Sequence, residues 1–168
     1  MDYRPPKSRV ICFDEKGTIV IKAYAGRSWS RKAPKIPAKQ SIKGKIELLG
    51  AYDFHNGKLW VRFFKKKTAK EIILVLEFLR KRYKGYRLYI ILDCWRPHRS
   101  KLLKEYVSHQ SITLVELPTN ASWLNPIERI FSEIQNQVLA NSNFQSVSET
   151  KQSIRKYVRK EYPKIQLC

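Results

Sequence analysis

Apolar and polar positions change rhythm several times along the chain, and each change marks an element. Val10-Ile11-Cys12-Phe13 is a short apolar run ending at Asp14-Glu15-Lys16-Gly17, the pattern of a buried strand closed by a turn. The β-rich stretch 18–24 is predicted to be its hairpin partner. Residues 46–54 and 59–64 read as two further strands, joined by His55-Asn56-Gly57-Lys58, where Asn-Gly is a strong hairpin signal. Residues 68–84 switch to helical spacing, with Ile72, Val75, Leu76, Leu79 and Tyr83 on one face. Leu88-Tyr89-Ile90-Ile91-Leu92 is a continuous apolar run, as expected for a strand buried on both faces, and it ends at Asp93. A helix is predicted over 97–109 and a last strand over 112–115.

After Leu117-Pro118-Thr119-Asn120 the pattern becomes helical again. Asn125 is suited to an N-cap and Pro126 to the first helical position. Ile127, Ile130, Phe131, Ile134 and Val138 then share one face of a helix running to about residue 139. Ser146-Val147-Ser148-Glu149 offers a capping box for a basic C-terminal helix to about residue 162, with Ile154, Tyr157 and Val158 inward. Antiparallel strands therefore come first, followed by alternating helices and strands. This order predicts an α/β domain whose later strands run parallel under covering helices. The stretch 25–45 interrupts the pattern. It holds Pro34, Pro37, Gly26 and Gly44 and seven basic residues without an acidic one, and it is predicted to be a long functional loop with Trp29 inside.

Composition narrows the partners. The chain has 168 residues and 43% apolar content, enough for one domain with a real core. Thirty-four Lys and Arg against fourteen Asp and Glu give a formal charge of +20, which favours a polyanion, with nucleic acid the default. The three cysteines, Cys12, Cys94 and Cys168, form no Cys-x-x-Cys pair, which argues against a zinc site or a disulfide framework and fits a reducing, intracellular compartment. No secretory leader or membrane-length apolar run is visible.

Against this basic background the few acids stand out. Asp14 and Asp93 each end an apolar strand, where an uncompensated carboxylate costs desolvation energy. Strand carboxyl ends are where α/β sheets hold ligands and metals. If the two strands are neighbours, the carboxylates meet, and like charges that close call for a cation between them. Mg²⁺, with oxygen ligands and exchangeable waters, suits such a site. Each aspartate could instead cap a turn or helix. Glu128, in the first turn after Asn125-Pro126, has the same two readings: a capping-box glutamate bonded back to the Asn125 amide, or a third ligand. Asp53, before the Asn-Gly tip, reads as a turn residue and is the main rival ligand.

Three segments carry a resemblance. Phe13-Asp14-Glu15 looks like the first-aspartate motif of the DDE/D transposases of the mariner superfamily, especially their bacterial and archaeal insertion-sequence branch. Leu92-Asp93, followed by His98 and Ser100, is similar to the second motif. Leu124-Asn125-Pro126-Ile127-Glu128-Arg129 resembles the third and is the most specific match, and the 34 residues from 94 to 127 are the spacing of that family. Gly26-Arg27-Ser28-Trp29-Ser30 resembles a further signature. Cys94 departs from the family, which usually has asparagine there, and Trp95-Arg96-Pro97 is bulkier than usual. Family members also carry an N-terminal helix-turn-helix region, so the chain is expected to be the catalytic half of a split, truncated or separately encoded transposase.

The resemblance implies a ribonuclease-H-like mixed sheet, three antiparallel strands then parallel strands, flanked by helices. It divides the chain into a lead-in (1–9), a catalytic domain (10–145) and a C-terminal basic helix packed on or extending it (146–168). It implies that Asp14, Asp93 and Glu128 hold two Mg²⁺ ions, with Mn²⁺ as substitute, and that the chain cuts transposon ends and joins their 3′-hydroxyls to target DNA. Arg27, Trp29, Arg31, Lys32, Lys35, Arg96, His98, Arg99 and Arg129 are the candidate DNA contacts, with Lys65, Lys66, Lys67, Lys70 and Lys101 adding phosphate contacts. His98 has a second role to offer, orienting Asp93. The expected partners are transposon-end and target DNA, a second copy in a homodimer and a separate helix-turn-helix chain, in the nucleoid-associated cytoplasm of a prokaryote and away from membranes. A decayed or domesticated DNA-binding remnant and another nuclease of the same fold are the rival readings.

Overall fold

The computed structural model of the protein describes residues 7–24, 41–94 and 96–163. Five strands form one mixed sheet in the order β3-β2-β1-β4-β5. The strands are β1 (Ser8–Ile21), β2 (Gly44–Asp53), β3 (Lys58–Phe64), β4 (Arg87–Leu92) and β5 (Ile112–Glu116). β1, β2 and β3 pair antiparallel, while β4 and β5 continue the sheet parallel to β1. This is the ribonuclease-H-like arrangement implied above. The helices are α1 (Ala69–Arg82), α2 (Lys101–Ser108), α3 (Pro126–Ile134) and α4 (Val147–Glu161).

The sheet is covered on both faces, as a sheet with parallel strands requires. Ile11 and Phe13 of β1 point to one side, where α1 and α2 supply Ile72, Val75, Leu76, Leu79 and Leu103. Cys12, Ile19 and Ile21 point to the other, where α3 and α4 supply Ile127, Ile130, Phe131, Ile134, Ile154 and Val158. The predicted apolar faces of α1 and α3 are the buried ones, and α4 packs by Ile154 and Val158, with Tyr157 partly buried beside them.

Three expectations are corrected. The turn and hairpin predicted at Asp14–Gly17 do not form. β1 runs straight through as one strand, and the sequence Asp-Glu-Lys-Gly becomes a bulge: Lys16 pairs with Leu48 and Ile19 with Ile46, so β1 has one residue more than β2 between them. A long β2 offers a partner for the whole strand, and Ile19 and Ile21 are buried by staying in it. The helix predicted over 97–109 is split into a 3₁₀ turn (Arg96–Arg99) and α2, because the Ser100 side chain accepts from the Leu103 amide and starts a new helix. The helix after Pro126 does reach Leu139, but its last stretch, Gln135–Leu139, is π-helical.

Asp53 holds the β2–β3 turn, as read from the sequence. Its Oδ1 accepts from the backbone amides of His55 (2.9 Å) and Asn56 (3.3 Å), and Oδ2 accepts from Asn56 Nδ2 (3.0 Å) and from the Tyr83 hydroxyl. With both oxygens committed it ties the hairpin to the end of α1.

Gly50 sets the distance between the sheet and α3. It lies directly opposite Asp14 in the β1–β2 register. A Cβ there would come within 2.8 Å of Ile127 Cδ1 and 2.9 Å of the Phe131 ring. Only glycine lets α3 approach this closely. Gly50→Val should cost about 1–3 kcal/mol by overpacking and lower the melting temperature. Thermal denaturation followed by circular dichroism measures it, and an unchanged transition would refute this role for Gly50.

Candidate active site

The register brings the two aspartates together. β1 and β4 are adjacent and parallel, and their last paired residues are Cys12 and Ile91. Asp14 and Asp93 each stand two positions further on, Asp14 within β1 where it runs past β4 and Asp93 just beyond the end of β4. Asp14 is 3% exposed. Burial, and then the charges of Asp93 and Glu128, push its carboxyl up to about 7, while hydrogen bonding from the Glu15 amide (2.8 Å) pulls the other way. Both other candidate carboxylates are thus close enough to act on Asp14.

α3 delivers Glu128, and Asn125 ties α3 down. Asn125 does occupy the N-cap position with Pro126 at the start of the helix, but its side chain makes no capping bond. Its Nδ2 instead crosses to β1 and donates to Phe13 O (3.0 Å) and Asp14 Oδ2 (3.3 Å). The capping-box reading of Glu128 is corrected with it. The Asn125 amide donates to Ser122 O (2.8 Å), so it is not available to the glutamate. Thr68 and Glu71 show a completed box on α1, in which the glutamate does accept from the cap amide (2.9 Å). Glu128 accepts no such bond. It faces a cleft of about 310 Å³ lined also by Glu15, Lys16, Phe131 and Gln135. Burial pushes the Lys16 ammonium below its ordinary value, and Glu128 opposes that shift.

His98 is fully buried and turns toward the aspartates. Its Nδ1 lies 2.8 Å from Asp93 Oδ1 and 3.1 Å from Asp93 O, its Nε2 lies 3.5 Å from Glu15 Oε2, and its ring stands edge-on to Phe13. Burial lowers its affinity for a proton, with Asp93 acting in the opposite direction. This geometry fits the orienting role better than a phosphate contact. Glu15 was not singled out as a site residue in the sequence, yet it lies between His98 and Lys67 (4.0 Å), and burial followed by Asp14 pushes its carboxyl up to about 8. Its position directly after Asp14 was visible. Its burial on the opposite face of β1 depended on the strand running on where a turn was expected.

The other predicted contacts divide. Arg129 is 85% exposed in its side chain, with Glu133 3.4 Å away. Arg99 is held by Glu116 through Nε (3.0 Å) and Nη2 (2.8 Å). Arg27, Trp29, Arg31, Lys32 and Lys35, with the Gly26–Ser30 signature, lie outside the described residues, as does the Arg96 side chain. Among the described residues no three His, Cys, Asp or Glu side chains are already gathered closely enough to hold a metal ion. The carboxylates form an open set around Asp14, chemically matched to a hard divalent cation by their oxygen donors. Among the described residues no helix is long and apolar enough to cross a membrane.

Residues 9–151 match the family model of the DDE superfamily endonucleases. The chain belongs to this family. Members use divalent metal, which agrees with the donor set just described. No curated protein sequence matches the chain. Among solved structures, this DDE endonuclease chain is similar in fold to the Mos1 mariner transposase paired-end complex with Mn (16% identity, TM-score 0.71, covering 92% of this chain and 49% of that one). It is likewise similar to the Mos1 paired-end complex with left transposon end (17%, 0.69, 91% and 48%). The isolated catalytic domain of Mos1 transposase also matches (13%, 0.65, 91% and 71%). The chain spans about half the length of the Mos1 chains in the paired-end complexes.

Asp14 and Glu15 give the protein a pH signature. Both native carboxyls are raised above their unfolded values of 3.8 and 4.5, to about 7 and about 8. The folded state therefore holds protons that the unfolded chain has released. This stabilisation is full below pH 4 and is lost as pH rises through 7 and 8. Without divalent metal the melting temperature should fall by several degrees between about pH 5 and about pH 9, and Asp14→Asn should flatten that slope. A variant slope equal to that of the wild type, measured by scanning fluorimetry in chelator, would contradict the burial of this charge.

Proposed function

We propose that the chain is the catalytic domain of a DNA transposase, cutting transposon ends and joining the 3′-hydroxyl to target DNA with divalent metal. The observation that supports this is Asp14 on β1 and Asp93 just past the adjacent parallel β4, with Glu128 of α3 near enough to act on Asp14, in a chain of charge +20. The Mos1 complexes with transposon ends support it as relatives in fold.

In this reading Asp14, Asp93 and Glu128 hold two Mg²⁺ or Mn²⁺ ions. Bound there, the metals supply an activated water or DNA 3′-hydroxyl and stabilise the leaving 3′-oxygen of an in-line displacement. The protein's own part is orientation. Asn125 holds one Asp14 oxygen, and the Glu15 amide holds the other. His98 fixes the Asp93 oxygen that faces it. Glu128, bound to no cap, is the ligand that adjusts. Arg129 and the lysines at 65–67 and 70 draw in the phosphate backbone. DNA ends are recognised by a helix-turn-helix region on this or a separate chain, and the active complex is a homodimer acting on a prokaryotic chromosome. The division into lead-in, catalytic domain and C-terminal helix belongs to the same proposal.

The open carboxylate set favours one second reading, a DNA-binding remnant of a transposase. Nicking of supercoiled plasmid separates the two. The wild type should nick only with Mg²⁺ or Mn²⁺, and Asp93→Ala should drop to the metal-free background while still binding DNA. Equal nicking by Asp93→Ala would remove Asp93 from the site, and DNA binding by the wild type without nicking in either metal would favour the remnant. Binding should also fall by about 1,000-fold between roughly 50 and 200 mM salt, measured by fluorescence anisotropy on a labelled duplex. A flat salt response would reject phosphate contacts as the source of affinity.

A further inference from the structure

The outer side of α4 is almost entirely cationic. Between Lys151 and Lys160 its exposed positions are Gln152, Arg155, Lys156, Arg159 and Lys160, with Lys151 half-buried beside them. The inner side, Ile154 and Val158, is seated on the core. Lys151 and Arg155, Arg155 and Arg159, and Lys156 and Lys160 are each four residues apart, so the members of each pair are neighbours on the helix surface. Like charges at that spacing destabilise a helix, and glutamates at the same spacing would relieve them. Here the acids stand only at the two ends. Glu149 accepts from the Gln145 amide before the helix, and Glu161 pairs with Lys160 (2.9 Å) at its close. Among the described residues no carboxylate pairs with Lys151, Arg155, Lys156 or Arg159.

Two of these cations are anchored. Arg155 Cζ lies 5.2 Å and Lys151 Nζ 5.9 Å from the centre of the Phe63 ring on β3. The ring restrains both side chains without neutralising them, so less freedom is lost when a partner binds. β3 is an edge strand of the sheet. α4 packs on β2 and β3, whereas α3 packs on β1 and β2. The cationic face therefore lies toward the β3 edge, on the far side of α3 from β4 and Asp93. Gln152, Arg155, Lys156, Arg159 and Lys160 line a shallow depression of about 440 Å³ that shares no residue with the cleft of Glu128.

We propose that this face of α4 is a docking surface for the phosphate backbone of duplex DNA, separate from the carboxylate cleft. The inference rests on the DNA-transposase reading for the identity of the polyanion and adds a second place where the chain holds it. Arginine forks suit phosphate oxygens. From Lys151 to Arg159 the helix rises about 12 Å, about the width of the major groove, which brings phosphates on both of its walls within reach. The exposed positions offer no aromatic or aliphatic side chain to anchor a protein partner or to read bases, so the contact is independent of sequence.

The test compares wild type with Arg155→Gln/Lys156→Gln/Arg159→Gln. Glutamine keeps helix propensity, and removing the repulsion should leave the melting temperature equal to or slightly above that of the wild type. A control, Lys81→Gln/Lys84→Gln/Lys104→Gln, removes the same three charges from exposed positions on and beside α1 and α2, on the other face of the sheet. Fluorescence anisotropy on a labelled duplex should show the α4 variant weakened about tenfold, with its salt slope reduced by about 2–3. The control should stay within about twofold, and Arg155→Lys/Arg159→Lys should keep most of the slope. Equal losses in the α4 variant and the control would overturn the surface in favour of a general charge effect. Unchanged duplex affinity with weakened binding of polyglutamate would overturn it in favour of an acidic protein partner. Unchanged affinity and slope on duplex DNA would overturn the surface alone, whereas a wild type that binds no duplex would overturn the parent reading with it.

Discussion

One acidic side chain within β1 and another just past the end of the adjacent parallel β4 repel each other in a poorly solvated place, and the surroundings are arranged around that repulsion. Asp14 is buried, and the charges of Asp93 and Glu128 oppose its ionisation. Neighbouring groups position the carboxylates. Asn125 and the Glu15 amide donate to Asp14, and His98 turns Nδ1 to Asp93. Lys67 approaches Glu15, and Glu128 acts on Lys16. Carboxylate oxygens close to a buried aspartate suit a hard divalent cation.

Close packing and polar positioning act on the same helix. Gly50, opposite Asp14, lets Ile127 and Phe131 seat against the sheet. Asn125 then fastens the start of α3 to β1 from within. The apolar seat fixes how far α3 lies from the sheet, and the asparagine fixes its position along β1. Glu128, one turn into the helix, inherits both constraints.

Much of the fold was legible in the sequence. The faces of α1 and α3, the Asn-Gly hairpin with its Asp53, and the buried run of β4 followed from periodicity and turn chemistry, because each is a local preference that burial reinforces. The hairpin at Asp14–Gly17 was misread for the same reason. Asp-Glu-Lys-Gly has turn composition, and only the availability of a ten-residue β2 turns it into a bulge. That difference also hid Glu15, which reaches His98 because β1 continues past Asp14.

The chain by itself determined which groups could do chemistry: two strand-end aspartates, a glutamate one turn into a helix, and a large excess of positive charge to meet a polyanion. These are properties of residue type and local spacing. The tertiary structure decided what those groups face. Parallel pairing of β1 with β4 set Asp14 beside Asp93. The Asn125 side chain, free by sequence to cap its own helix, instead turns its Nδ2 to β1, where a buried carbonyl and carboxylate need a donor. Glu128 is thereby left out of a capping box and open to the cleft, an outcome set by contacts 112 residues apart in sequence.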